Sequence, residues 1–208
     1  VFWLDVYHLK MTDNIAIIIA STISAVGGVL AMWAKNHFEY KKRNTVESST
    51  VSGVNIYEAL GYIQSQTECA RAYVFEFHNG EHFFSGRGQQ KFSCTYEFVK
   101  AGVSAEALNS QNHRISNFNQ YIHELVKSEN FKYLDITKIE DNPFKEMLKS
   151  KGVTSIYNVP IKTLNGKIIG ILGMEYTGSI ESFPECRDEP DLEKFMRRQA
   201  RIISGYLI

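Results

Sequence analysis

The chain has 208 residues, 44% of them hydrophobic, and its 23 Lys plus Arg cancel its 23 Asp plus Glu. That length holds one sizeable domain with an accessory segment and excludes a large multidomain enzyme. Zero formal charge argues against a general nucleic-acid binder, which carries a basic excess where it meets phosphate.

After a short N-terminal segment, residues 1–14, the run from Ile15 to Ala34 (IAIIIASTISAVGGVLAMWA) has 20 residues and no charge. About 20 apolar residues are what an α-helix needs to cross hydrocarbon, so the run is expected to be a transmembrane helix. The basic residues lie after it (Lys35, Lys41, Lys42, Arg43), with Lys10 alone before it. That is the wrong side for a signal peptide, and by the positive-inside rule it sets the C-terminal part in the cytoplasm of a single-pass cell-membrane protein. Trp33 at one end and Phe2, Trp3 and Tyr7 before the other suit interfacial aromatic belts. Met11, just ahead of the run, is a candidate translation start. Ala16, Ala20, Ser24 and Gly28 recur every four residues, a small-residue face on which two helices can pack. Residues 35–53 read as a basic juxtamembrane linker, fixing topology or touching anionic lipid. Cys69, Cys94 and Cys186, odd in number and widely spaced, suit neither a disulfide framework nor a zinc site and fit a reducing compartment.

Residues 54–208 hold 18 Lys plus Arg against 19 Asp plus Glu, one near-neutral domain. Ile56, Leu60 and Ile63 at helical spacing predict a helix ending near Thr67. Arg71 to His78 has strand composition, with Tyr73, Phe75 and Phe77 on one face and Val74, Glu76 and His78 on the other, closed by a turn at Asn79-Gly80. A second strand is expected over Phe92 to Val99. Ile115, Phe118, Ile122, Leu125 and Val126 mark an amphipathic helical stretch, and a short strand is expected over Lys132 to Ile136. Asp141 or Asn142 caps a helix with Pro143 at its first position, running to Ser150 and stopping at Gly152. Strands over Ser155 to Lys162 and Lys167 to Thr177 form a hairpin turning at Asn165-Gly166. Asp191 to Leu207, with Leu192, Phe195, Met196, Ile203 and Leu207 on one side, is a closing helix. This order implies an α+β fold in which helices cover an antiparallel sheet.

The run from Phe144 to Gly178 (FKEMLKSKGVTSIYNVPIKTLNGKIIGILGMEYTG) resembles the C-terminal half of a GAF domain, through Gly152, Val159, Pro160, Ile161, Gly166 and Gly170. The element order over 54–208 fits the same family. The resemblance implies a GAF/PAS-like antiparallel sheet flanked by N- and C-terminal helices, behind one transmembrane helix. It also implies a ligand cavity. Similar domains bind cyclic nucleotides, tetrapyrroles, haem, small metabolites or only protein partners, so the cofactor stays unassigned. No Asn-Lys-x-Phe-Asp-Glu signature and no bilin-attachment context around a cysteine is present, which demotes those two ligands.

In such a domain the first and last strands are neighbours, so Glu76 and Glu175 are expected on one sheet face, and Phe75 and Phe77 with Met174 and Tyr176 on the other. The ligand-binding candidates are Glu76, His78, Asn79, Tyr96 and Glu175. The first three lie in FEFHNGEHFFSGRG, whose glycines let a backbone approach a ligand. The plainer reading of that segment is a glycine-rich loop with capped polar ends. A metal held by Glu76, His78 and His82, or paired catalytic work by Glu76 and Glu175, is a remoter reading of the same residues. His113 and Arg114 fall in a middle region expected to act as a lid. No nucleophile elbow, phosphate-binding loop or zinc-protease motif occurs. The expected function is a membrane-anchored sensor or protein-interaction module, self-associating, with no output domain after Leu207. Its partners are the lipid bilayer, a second copy, and membrane or cytoplasmic proteins that carry the output. The rivals are a bare membrane-associated scaffold, including a phage structural component, and a thiol enzyme of the methionine sulfoxide reductase type.

Overall fold

A computed structural model describes residues 19–37, 46–82 and 88–208. The chain divides into two units, residues 1–50 and 51–208. In the first, helix α1 covers 19–37, with Ile19, Ile23, Leu30 and Trp33 exposed. Ala20, Ser24 and Gly28 lie four residues apart on one α1 face, whereas Ala16 lies outside the described residues. Among the described residues no helix is long and apolar enough to cross a membrane. The first four residues of the uncharged run, Ile15 to Ile18, are not among them.

Helix α2 (Val46–Thr67) ends where expected and begins within the expected 35–53 linker, so the second part of that linker is helical. Its buried residues Ile56, Leu60, Ile63 and Thr67 keep one face, and the preceding turns are exposed. The sheet follows: β1 (Arg71–His82), β2 (Gly88–Val99), β3 (His113–Arg114), β4 (Phe131–Tyr133), β5 (Ser155–Lys162) and β6 (Ile168–Tyr176), in the order β3-β2-β1-β6-β5-β4. All the pairings are antiparallel. Asn79-Gly80 does not end β1. Asn79 pairs with Gln90 and His82 with Gly88, so the ladder runs on, and 83–87 lie outside the described residues. The expected strand over Lys132 to Ile136 shrinks to β4, because Asp135 turns the chain: its side chain accepts from the Thr137 N–H and starts a 3-10 turn, Ile136–Lys138.

The middle helical stretch is a 3-10 turn (Ile115–Phe118) running into α3 (Asn119–Ser128), and α4 (Pro143–Ser150) follows. Asn142 caps α4, its side chain accepting from Lys145 N–H with Pro143 at the first position, as the sequence predicted. Gly152 (φ +68°) and Gly166 (φ +81°) take the left-handed turns after α4 and in the β5–β6 hairpin. Asp191 caps α5 (Leu192–Leu207) by accepting from the N–H groups of Glu193 and Lys194.

The sheet separates two cores. On one face α2 and α5 pack Ile56, Leu60, Phe195, Met196 and Ile203 against Val74, Val159, Leu172 and Met174. On the other, a lid of α3, α4 and the two 3-10 turns packs Phe118, Tyr121, Phe144 and Leu148 against Tyr73, Phe75, Phe92 and Ile171. Side chains alternate across a strand, so register decides which core each residue joins. Glu175 pairs with Arg71, Ile171 with Phe75, and Glu76 with Gly170. Glu175 therefore shares the lid face with Tyr73 and Phe75, while Glu76 belongs to the helix face. The expectation that Glu76 and Glu175 share a face is overturned, as is the grouping of Phe75 with Met174. The alternation within each strand was right and the pairing was displaced by one residue. At the sheet's far side β4 pairs only with Ile156 to Asn158, and Pro160 sits in β5 just beyond its reach.

Phe195 is fully buried, and Leu164 in the hairpin turn is fully exposed. Phe195→Ala is expected to cost about 3–5 kcal/mol and Leu164→Ser to stay within about 0.5 kcal/mol, read as urea midpoints at constant m. Equal losses would overturn the assignment of α5 to the core.

Candidate functional site

Between the sheet and the lid lies a small cavity lined by thirteen residues, among them the polar groups of Glu97, Ser110, Lys151, Asn158 and Glu175 with the hydroxyls of Tyr73 and Tyr121. Phe75, Phe92, Cys94, Phe144, Met147 and Leu148 supply the apolar lining. Its volume is about 10 Å³, space for a single water.

The charged groups are organised by Arg71, which is 1% exposed. A buried guanidinium has to be paired and hydrogen-bonded. Nη1 donates to Glu175 Oε1 at 2.5 Å, Nε to the Ser104 carbonyl at 2.7 Å and Nη2 to Ser104 Oγ at 2.9 Å. Glu97 lies 4.0 Å from Nε and Glu106 3.9 Å from Nη2. Glu97 Oε2 in turn accepts from the backbone N–H groups of Glu106 and Ala107 at 2.8 and 2.9 Å. Lys151, which follows α4, donates from Nζ to Ser110 Oγ at 2.6 Å. Strand starts and ends, the loop after β2 and the α4–β5 turn are thus tied at one point. Burial pushes the Glu175 carboxyl up, and Lys151 and Arg71 oppose that shift.

A second, neutral network crosses the cavity floor. Tyr73 donates to Asn158 Oδ1 at 2.9 Å, and Asn158 Nδ2 donates to the Tyr121 hydroxyl at 2.7 Å. Tyr73 and Asn158 lie on β1 and β5 and face each other across Gly173 of β6. A Cβ at Gly173 would overlap Asn158 Oδ1 and the Tyr73 ring, so only glycine leaves room for this bond. Burial pushes both tyrosine hydroxyls well above their ordinary range and keeps them protonated donors. Tyr121 also stacks on Phe144 with ring centroids 3.9 Å apart, joining α3 to α4. At the cavity's flank His113 rests among Phe75, Phe92 and Phe118, with Nε2 buried and without a hydrogen-bond partner among the described residues. Burial, helped by Lys151, lowers its pKa.

Of the five predicted ligand-binding residues, Glu175 alone lines this cavity. Tyr96 pairs with Val74 on the helix face, its ring 5.7 Å from that of Tyr57 of α2, and Glu76 raises the pKa of its hydroxyl after burial does. His78, on the Glu76 side, shares a hydrogen bond with Ser93 at 2.9 Å. Asn79 is exposed and accepts from Gln90 at 3.3 Å. Glu76, His78 and Tyr96 lie across the sheet from Glu175, and Asn79 is exposed, so none of the four joins Glu175 at the cavity. Among the described residues no group of three His, Cys, Asp or Glu side chains converges as metal ligands. The cysteines divide between the faces, Cys69 and Cys186 in the helix-side core and Cys94 in the lid-side core. Burial pushes their thiols up to about 11 for Cys69 and Cys186 and about 12 for Cys94, which keeps them protonated and poor nucleophiles.

No family model matches the chain, nor does any curated protein. Solved structures do resemble it in fold. The blue-light absorbing PixJ GAF domain of Thermosynechococcus elongatus superposes with a TM-score of 0.58 at 13% identity, over 78% of this chain and 90% of that one. The phycocyanobilin-bound GAF domain of a cyanobacterial phytochrome gives 0.54 at 16% identity, covering 82% and 92%. The GAF domain region of a Geobacter sulfurreducens PCA protein described as a membrane protein gives 0.53 at 12% identity, covering 77% and 95%. The fold is that of GAF domains, as the β5–β6 hairpin suggested.

Gly173→Ala is expected to destabilise by about 2–4 kcal/mol, since overpacking and loss of a buried hydrogen bond add. A second Asn158→Ala change on top of it should cost much less than Asn158→Ala alone, the room having been regained. Full additivity in a denaturant double-mutant cycle would show that Gly173 does not act through Asn158.

Proposed function

We propose that the chain is a membrane-anchored sensory module whose GAF-type domain responds to a small molecule at the lid-side cavity and passes the change to another protein. The observation that carries this reading is the cavity itself. Two carboxylates, an ammonium, an amide and the hydroxyls of a serine and two tyrosines line it beside aromatic and aliphatic side chains, the mixture that small-molecule sites use for affinity and orientation. Relatives in fold include photoreceptor domains, one of them bound to phycocyanobilin. A bilin would need several hundred Å³, whereas this cavity has about 10 Å³. The ligand is either close to water in size or enters as the lid moves away, and a lid built from short helices and 3-10 turns is the part of the domain suited to move.

The anchor is the uncharged run from Ile15 to Ala34, with basic residues after it placing the domain in the cytoplasm. Self-association through Ala16, Ala20, Ser24 and Gly28 would let a change in one domain alter a pair. An interaction module without a ligand is the second reading, favoured by the pairing of the cavity's charged groups within the protein itself.

Two experiments test these statements. Full-length protein in detergent, screened against nucleotides, haem, tetrapyrroles and amino acids, is expected to show a rise of several degrees in Tm with one class. That rise should shrink in Asn158→Ala. A Tm unmoved by all four classes would abandon sensing in favour of the interaction module. For topology, fusion of alkaline phosphatase at Ile208 is expected to be inactive and a cytoplasmic reporter active; the opposite pattern would overturn the orientation.

A further inference from the structure

The sensory reading leaves a mechanical question, since the cavity lies on one face of the sheet and α5 on the other. Side chains at the end of α3 reach α5 through a cluster centred on Glu129. This residue ends α3 and adopts φ 57°, ψ 12°, a left-handed conformation that costs a residue with a Cβ and that glycine takes freely. Its carboxylate nevertheless makes bonds no glycine could. Oε1 accepts from Lys162 Nζ at the end of β5, and Oε2 accepts from Arg197 Nη1 of α5 at 2.5 Å. Arg197 is held in turn by Glu193 one turn earlier, Nε to Oε1 at 3.0 Å. The next residue, Asn130, donates to Glu193 at 3.5 Å. Lys162 also carries the carbonyl that accepts from Ser204 of α5 at 2.8 Å. The two cations hold the Glu129 carboxyl below its ordinary range, Lys162 first and Arg197 second.

We propose that Glu129 is a clasp that couples the lid to α5. The coupling rests on the sensory reading for its purpose, though not for its existence. Tyr121 touches the cavity and bonds Asn158, and it lies on the same helix, eight residues before Glu129. A rigid helix of two turns transmits displacement of Tyr121 to its C-terminal end, and the clasp delivers it to Arg197, on the opposite face of the sheet. The pairs are partly exposed, with side chains 44% accessible at Glu129, 33% at Lys162 and 32% at Arg197. Such pairs are weakened by salt, so the coupling they carry is expected to fall as ionic strength rises.

The test is a double-mutant cycle in the full-length protein in detergent, read by amide hydrogen exchange. Tyr121→Phe removes the α3 bond to the cavity floor, and Asn158→Ala is run beside it so that α3 is perturbed by at least one variant. Each is made alone and with Glu129→Gly. Exchange is expected to rise about fivefold or more in both α3 and the first turns of α5 when the cavity is perturbed, since exchange reports local opening. With Glu129→Gly present, the rise should persist in α3 and vanish from α5. Glu129→Gly alone should leave the urea midpoint near that of the parent, because relief at the left-handed position offsets the lost pairs. An α5 response equal with and without Glu129, or no α5 response while α3 opens, would overturn the clasp. Failure of every ligand in the Tm screen would overturn sensing and leave this cycle readable, so the two ideas fall separately.

Discussion

Arg71 enters β1 with a charge that the interior cannot leave unpaired. Satisfying it draws Glu175 from β6, Ser104 from the loop after β2, and Glu97 and Glu106 near the β2 end into one knot beside the α4–β5 turn. Arg71 and Glu175 are 104 residues apart, and Ser104 and Glu106 come from a loop that no strand pairing holds in place. Loss of one partner would strand the others, which makes the knot a determinant of arrangement more than of net stability. The charged part of the cavity lining follows from this requirement, since Glu97 and Glu175 are there to serve Arg71 and Lys151 is paired with Ser110.

The neutral network works differently. Tyr73, Asn158 and Tyr121 hold β1, β5 and α3 at fixed separation, and the missing side chain at Gly173 makes their meeting possible. One network thus gathers loops and the other spaces strands. Between them they leave about 10 Å³, so a domain with the GAF fold is here nearly filled by its own side chains.

Much of the fold was readable in the residues. The β5–β6 hairpin announced itself through Asn165-Gly166, α4 through Asn142-Pro143, and the closing helix through its apolar spacing. What escaped was register. Alternation tells which residues of one strand share a face, but not which residues of its neighbour lie opposite, and a one-residue error moves every side chain across the sheet. For that reason Glu76, His78 and Tyr96 were grouped with Glu175 although they lie on the other side. Asn79-Gly80 looked like a turn and instead continues a ladder to His82. A lone Asn158 inside the apolar run SIYNVPIK was a signal for the buried network, as was Arg71 at the head of an aromatic strand. Both carry polar groups into positions whose neighbours are otherwise apolar, where a partner is obligatory.

The short β4 and the proline that follows its reach in β5 bear on how copies of the chain can meet. A sheet margin with free amide and carbonyl groups invites a strand from another molecule, and the resulting edge-to-edge stacks are open-ended. On β5 beyond the reach of β4, Pro160 has no N–H to offer such a strand, and at the strand's end the Lys162 carbonyl is already taken by Ser204 and its ammonium by Glu129. Assembly by strand addition is blunted there.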